Sequence, residues 1–316
     1  MRQITYKIER FDGTRKFIQE YSLVHQPGKT ILWGLIAIKD TMDPTLAFTA
    51  ACRSAVCGAC AVRVNGQAVL ACETSLDTTL DRFGDVLTLA PLQNFSVIRD
   101  LVVDWEEKSE RLAAVKTWLM PQDGFSAQTG CRQTGSDFKK INTQAGCILC
   151  GACASECSKL TANSADFLEP FTYSKVWKFV ADTRDQAATE RIKGILDKGL
   201  WKCLHCAECI TKCPKGLAPG EDIARLRRFS LRMGHDDSSG ARHALAFLQD
   251  IAETGRLNET KLSMRSIGVW GSIKKLPLAL RLLRRGKLNP FHLPRKVAGH
   301  DQIQVILKAV KESEQA

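Results

Sequence analysis

Twelve of the 13 cysteines fall into three groups, at positions 52/57/60/72, 147/150/153/157 and 203/206/209/213. The second and third groups read Cys147-Ile-Leu-Cys150-Gly-Ala-Cys153-Ala-Ser-Glu-Cys157 and Cys203-Leu-His-Cys206-Ala-Glu-Cys209-Ile-Thr-Lys-Cys213. Each leaves two residues between its first three thiols and three before the last, a spacing that suits iron–sulfur cubanes. A short loop can bring three thiolates onto three irons, while the fourth, carried away by a helix, ligates the other cluster. Two such runs interlock. Cys147, Cys150, Cys153 and Cys213 are thereby predicted to hold one [4Fe-4S] cluster, and Cys157, Cys203, Cys206 and Cys209 a second. In the first group Cys52, Cys57 and Cys60, followed by Cys72, show the four-then-two spacing of a [2Fe-2S] loop. The chemistry implied is one-electron transfer, and no residue is assigned as a catalytic acid, base or nucleophile.

These ligands need elements to hold them. Around the first group, Ala61-Val-Arg-Val-Asn-Gly-Gln-Ala-Val-Leu70 alternates, with Asn65-Gly66 predicted as a tight hairpin turn between two strands. Gly58 and Ala55 are small where backbone must approach the sulfides. Helical periodicity appears between the other runs, with Val176, Phe179 and Val180 after Pro170 and Ile192, Ile195 and Leu196 before Trp201. The stretch Pro121 to Gly146, rich in Gly, Gln, Ser and Thr, reads as a long outer loop. Gly234 to Gly240 reads as a linker. The predicted class is α+β: short strands over 1–97, an all-helical region over 98–230 and a basic helical extension over 231–316.

Other readings are weaker. Four-cysteine zinc sites use similar two-residue spacings, yet zinc rarely needs interlocked runs plus a separate third group. A disulfide framework calls for an oxidising compartment, and the N-terminus starts directly in an alternating strand with no room for a signal peptide. Cys131 has no second thiol at cluster spacing and reads as a free thiol. The triplets Asn94-Phe-Ser96 and Asn258-Glu-Thr260 read as chance matches to a glycosylation signal. With 44% hydrophobic residues over 316 positions the chain can bury two modest cores, and no stretch reaches transmembrane length.

The order of motifs resembles the iron–sulfur subunit of succinate dehydrogenases and fumarate reductases. The segments that carry the likeness are Ile31 to Lys39, Asp43-Pro-Thr-Leu46, Cys52-Arg53 to Cys60, Leu70-Ala-Cys72, Cys147-Ile-Leu-Cys150, Asp182-Thr-Arg-Asp185 and Cys213-Pro-Lys-Gly216. The resemblance implies a β-grasp plant-type ferredoxin domain over 1–97 and a two-cubane ferredoxin-like domain over 98–230. It also implies an FAD-containing succinate/fumarate subunit on the [2Fe-2S] side and a membrane-associated, quinone- or thiol-linked subunit on the other. Another flavin-dependent oxidoreductase with the same clusters is the alternative. Two positions depart from the common pattern. Cys206 stands where many members lack a cysteine and hold [3Fe-4S], which is similar to the branch related to thiol:fumarate reductases. Ser158 and Leu204 stand where quinone-reducing members carry a proline and a histidine, and His205, one place further on, reads as a polar residue beside a cluster.

The tail carries most of the charge. Residues 201–316 hold 21 Lys and Arg against 11 Asp and Glu, which leaves +10 of the chain's +11 there. Ser272 to Leu288 puts Leu276, Leu280 and Leu283 on one face, with Lys274, Arg281, Arg284 and Arg285 beside or opposite it. This reads first as a docking face for a partner and second as a membrane-surface helix. The tail resembles those of subunits whose partner is a cysteine-rich protein of the heterodisulfide-reductase kind. Nucleic acid is a poor reading, because the basic residues come without a recognition motif. The expected location is cytoplasmic, on the inner face of the membrane through partner subunits.

Overall fold

The computed structural model describes residues 2–125, 128–287 and 295–315, in two compact units, Met1–Leu226 and Arg227–Ala316.

The first unit opens with a sheet. β1 (Gln3–Phe11) turns Ile4, Tyr6, Ile8 and Arg10 inward by strict alternation and pairs antiparallel with β2 (Lys16–Val24). α1 (Ile31–Thr41) starts at Thr30, whose hydroxyl accepts the Trp33 N–H at 3.4 Å. Ile31, Leu35 and Ile38, at helical spacing, are fully buried by it, each contributing about 1.5–3 kcal/mol. β3 (Ala61–Val64) and β4 (Gln67–Leu70) form the predicted hairpin, and Asn65 and Gly66 both have positive φ, 47° and 80°. α2 (Leu76–Phe83) comes next, capped by Ser75, and then β5 (Val86–Ala90). The order across the sheet is β2-β1-β5-β3-β4, with only β1 and β5 parallel. A small hairpin of β6 (Val97–Arg99) and β7 (Val102–Val103) succeeds it, so strand structure runs past residue 97 into the stretch predicted to be all helical.

Beyond this hairpin helices dominate: α3 (Glu106–Ala114), α4 (Gly135–Ala145), α5 (Ala152–Ser155), α6 (Ser158–Ala162), α7 (Pro170–Val180), α8 (Ala188–Leu196), a 3-10 turn (Leu200–Lys202), α9 (Glu208–Thr211) and α10 (Pro219–Arg232). The periodic segments after Pro170 and before Trp201 are α7 and α8, with Val176, Ile192 and Ile195 fully buried. The predicted loop from Pro121 to Gly146 is corrected in its second half. Thr134 caps α4 by accepting the Asp137 N–H at 3.2 Å, and Ile141 and Gln144 are buried from one side of the helix. A local cap and one apolar contact outweigh a composition that reads as loop.

Buried charge fixes this unit from within. Asp185 and Arg191, both with fully buried side chains, pair at 2.6 Å, and Asp185 also accepts the Met120 and Ala187 N–H groups. Glu169, likewise inaccessible, faces Lys108 at 3.4 Å and Arg111 at 3.2 Å. The pairing matters because an isolated buried charge is costly.

The second unit is helical, with α11 (Ser239–Thr254), α12 (Glu259–Lys274), α13 (Leu276–Arg284) and α14 (His300–Gln315). Asn258 caps α12, so its glycosylation-like triplet has a structural role. α11 holds α12 through Arg242 to the Ser266 carbonyl at 3.1 Å and through Asp250 to Arg265 at 2.7 Å. His300 of α14 lies 3.0 Å from the Ala252 carbonyl. Nothing in α13 is buried. Leu288 lies outside the described residues. Among the described residues no helix is long and apolar enough to cross a membrane.

Candidate iron–sulfur sites

The first cysteine group occupies a loop between α1 and β3, closed by Cys72 just after β4. Arg53 and Ala55 take left-handed conformations, φ 57° and 56°, which turn successive amides inward. As a result Cys52 Sγ accepts from the N–H groups of Ser54 (3.4 Å), Val56 (3.3 Å) and Cys57 (3.3 Å), and Cys72 Sγ from Ala55 (3.2 Å). The Ser54 amide, then those of Cys57 and Val56, pull the Cys52 thiol down to about 6. Burial pushes Cys60 up to about 12. The loop's approach is held from below. Asp100 accepts the Phe11 and Ala47 N–H groups at 3.1 and 2.8 Å and pairs with Arg10 at 2.9 Å, while Arg10 also binds Asp43 at 2.6 Å.

The second and third groups share one backbone pattern. The second residue after the first cysteine is left-handed in both runs, Leu149 at φ 52° and His205 at φ 53°. So is the residue after the second cysteine, Gly151 at 82° and Ala207 at 64°. Each run then closes with a single helical turn, α5 or α9. The His205 N–H points at Cys203 Sγ, 3.5 Å away, a backbone contact that its residue type does not announce. Non-glycine residues in this region are strained by about 1–2 kcal/mol, which concentrates at functional loops.

Which thiols face each other is visible in their electrostatics. Burial, and then the charges of Cys213 and Cys147, push Cys150 up to about 11. Cys153, wholly buried among Cys150, Cys147, Cys209 and Cys213, goes well above its ordinary value. Cys157 is raised by burial and by Cys203 and Cys206, and Cys209 goes up to about 12 by burial, Cys203 and Cys157. Cys213 thus acts on Cys150 and Cys153 of the first run, and Cys203 and Cys206 on Cys157. Burial raises Cys150, Cys153, Cys157 and Cys209, and bound iron would supply the positive charge that lets them ionise. Amides on sulfur add to the fit: Leu217 donates to Cys213 Sγ at 3.3 Å. The residues present therefore suit clusters. Among the described residues no three Cys, His, Asp or Glu side chains converge on one metal ion. Cys131 is half-buried, and Arg184 donates to its carbonyl at 3.3 Å.

The first loop touches the second run directly. A Cβ built on Gly58 would lie 2.9 Å from Cys150 Cα and from the Ile148 carbonyl oxygen, and Gly58 itself has φ 77°. Beside this contact, a cavity of about 250 Å³ is lined by Cys57, Gly58, Leu92, Trp105, Leu149 and Cys150. Asn94 ties the same regions together, its amide donating to the Ala154 carbonyl at 2.8 Å and to that of Ser155 at 3.2 Å. Arg63 of β3 pairs with Glu156 at 3.1 Å. On the far side Asp166 binds Lys159 and Lys202, each at 2.6 Å, and so links the flanks of Cys157 and Cys203. Cys57 and Cys206 are exposed, as are Val56 (63%) and Leu204 (64%) beside them.

Residues 5–110 match the family described as 2Fe-2S iron-sulfur cluster binding domain, and residues 143–217 the 4Fe-4S dicluster domain. The 8-methylmenaquinol:fumarate reductase iron-sulfur subunit of Wolinella succinogenes is 41% identical over 311 residues, 96% of this chain and 97% of that protein. The chain belongs to the iron–sulfur subunits of fumarate reductases and succinate dehydrogenases. Members of this family are the electron-transfer subunits of those complexes. Another relative, the succinate dehydrogenase (ubiquinone) iron-sulfur subunit 1, mitochondrial, of Oryza sativa subsp. japonica, is 32% identical over 72% of this chain and 82% of its own. A chain of the Mycobacterium smegmatis Sdh1 complex in the apo form shares the fold, with TM-score 0.67 at 22% identity, over 74% of this chain and 98% of that one.

Proposed function

We propose that this iron–sulfur subunit carries three clusters: [2Fe-2S] on Cys52, Cys57, Cys60 and Cys72, [4Fe-4S] on Cys147, Cys150, Cys153 and Cys213, and a second [4Fe-4S] on Cys157, Cys203, Cys206 and Cys209. The observation that carries the reading is the backbone pattern common to both runs, left-handed at Leu149 and His205 and at Gly151 and Ala207, which gives Cys206 the place in its run that Cys150 has in the other. It supports Cys206 as a fourth ligand where many members leave a three-iron cluster. When bound, the clusters accept and release electrons one at a time. The chain's own part is to hold them close together, aim amides at their sulfurs and exclude water from the buried ones.

In this reading residues 1–97 form a β-grasp [2Fe-2S] domain, 98–230 the two-cubane domain and 231–316 a basic extension. The exposed loop at Val56 and Cys57 faces an FAD-containing subunit that interconverts succinate and fumarate. Leu204 to Cys206 face a membrane-associated subunit on the cytoplasmic side, cysteine-rich and of the heterodisulfide-reductase kind. The Wolinella relative is named for a methylated menaquinol, so a quinol is the proposed donor. With Ser158 and Leu204 in place of the common proline and histidine, that quinol would react on the partner. Purification of the native complex tests this: an FAD protein with fumarate-reducing or succinate-oxidising activity should accompany the chain. An FAD partner without either activity would favour a different flavin-dependent oxidoreductase.

A further inference from the structure

Between Thr260 and His300 the chain has ten Lys and Arg and no Asp or Glu. At the centre of this stretch is α13, begun by Pro277 in its first turn and ended at Arg285 and Gly286. Leu276, Leu280 and Leu283 share one stripe by helical spacing, and they remain 53%, 48% and 42% exposed. Lys274, Arg281, Arg284 and Arg285 are exposed and lie off that stripe. The leucines are therefore not covered by the chain's own core.

We infer that α13 is a lipid-surface helix, which lays Leu276, Leu280 and Leu283 into the headgroup boundary of an anionic membrane while its Arg281 and Arg284 and the flanking Lys274 and Arg285 engage the headgroups. This goes beyond the proposed function, in which the chain reaches the membrane only through partners, and it does not depend on cluster assignment. Two features favour lipid over a protein partner. Protein docking faces centre on aromatic anchors and matched charges, whereas this stripe is aliphatic and its flanks carry one sign of charge. A short helix with a leucine stripe, cations as its only charged residues and one further exposed leucine, Leu278, away from the stripe complements a uniformly negative surface.

The test is co-sedimentation of the full, cluster-loaded chain with vesicles of phosphatidylcholine alone or mixed with phosphatidylglycerol. The chain should sediment with the mixed vesicles only, and high salt should release it. Leu280→Glu/Leu283→Glu and Arg281→Ser/Arg284→Ser/Arg285→Ser should each weaken binding by about tenfold or more, with cluster absorbance unchanged. Failure of the unaltered chain to bind mixed vesicles overturns the inference, as does equal binding to both compositions. It is also overturned if the variants keep vesicle binding and lose only the membrane subunit on co-purification, which would assign the face to a protein.

Discussion

Gly58 is the position where the first cluster loop and the second cysteine run come closest, and Gly58→Ala should disturb both. Two costs add. At φ 77° an alanine is strained by about 1 kcal/mol relative to glycine. Its Cβ, at 2.9 Å from Cys150 Cα and the Ile148 oxygen, meets backbone that cannot rotate away. Overpacking of this kind costs about 1–3 kcal/mol. Gly66 supplies the control, because it has nearly the same φ, 80°, and nothing within 4 Å of an added Cβ. Gly66→Ala should therefore lose only the first cost, and the difference between the variants should be about 1–3 kcal/mol, or about 5- to 150-fold in the folded-to-open ratio. Urea titrations of the cluster-loaded chain, followed by visible circular dichroism, would measure it. EPR of the reduced protein would show whether the magnetic interaction between the first two clusters weakens as the loops part. Equal losses for the two variants, or a milder effect at Gly58, would refute the close approach.

Asp185→Ala leaves Arg191 charged in a site closed to solvent and should cost about 3–5 kcal/mol in a urea titration, while Asp185→Leu/Arg191→Leu, which still leaves the Met120 and Ala187 amides without their acceptor, should recover part of it. A double variant no better than the single would contradict that reading. Cys206→Ser should convert the last cluster toward a three-iron form with its own EPR signal and leave the other two spectra intact; an unchanged spectrum removes Cys206 from the ligand set. Lys159, then Lys202, hold the Asp166 carboxyl down to about 2. Its contribution is complete above the unfolded value of about 3.9 and disappears only as pH falls through the folded value. The effect of Asp166→Asn on cluster retention should accordingly be flat from about pH 8 to pH 5 and should shrink in high salt, because Asp166 is half-exposed and Lys202 exposed. A change within that pH window would assign the clamp to another group.

The cysteine spacings were legible because ligand geometry is written in short runs, and Asn65-Gly66 and Pro170 announced their turn and helix by local backbone preference alone. What escaped reading is non-local or conformational. α4 rests on one cap and on Ile141 meeting the core, neither of which composition carries. The left-handed pairs Leu149/His205 and Gly151/Ala207 come from wrapping a loop around sulfur, and only Gly151 bears the glycine that would have signalled it. Aligning the two runs on their cysteines carries that signal to Ala207, while Leu149 and His205 offer none. Asn94 resembled a modification signal, yet its amide binds carbonyls some 60 residues away. Gly58 read as small for the sake of the cluster, and the structure adds that it is small for Cys150.

A relay of three clusters has a stoichiometry that iron and acid-labile sulfide analysis of anaerobically purified protein can count, with EPR on the same sample. About ten irons and ten sulfides per chain are predicted, and three signals on reduction, with no three-iron signal when oxidised. Zinc without sulfide, or a native three-iron signal, would contradict it.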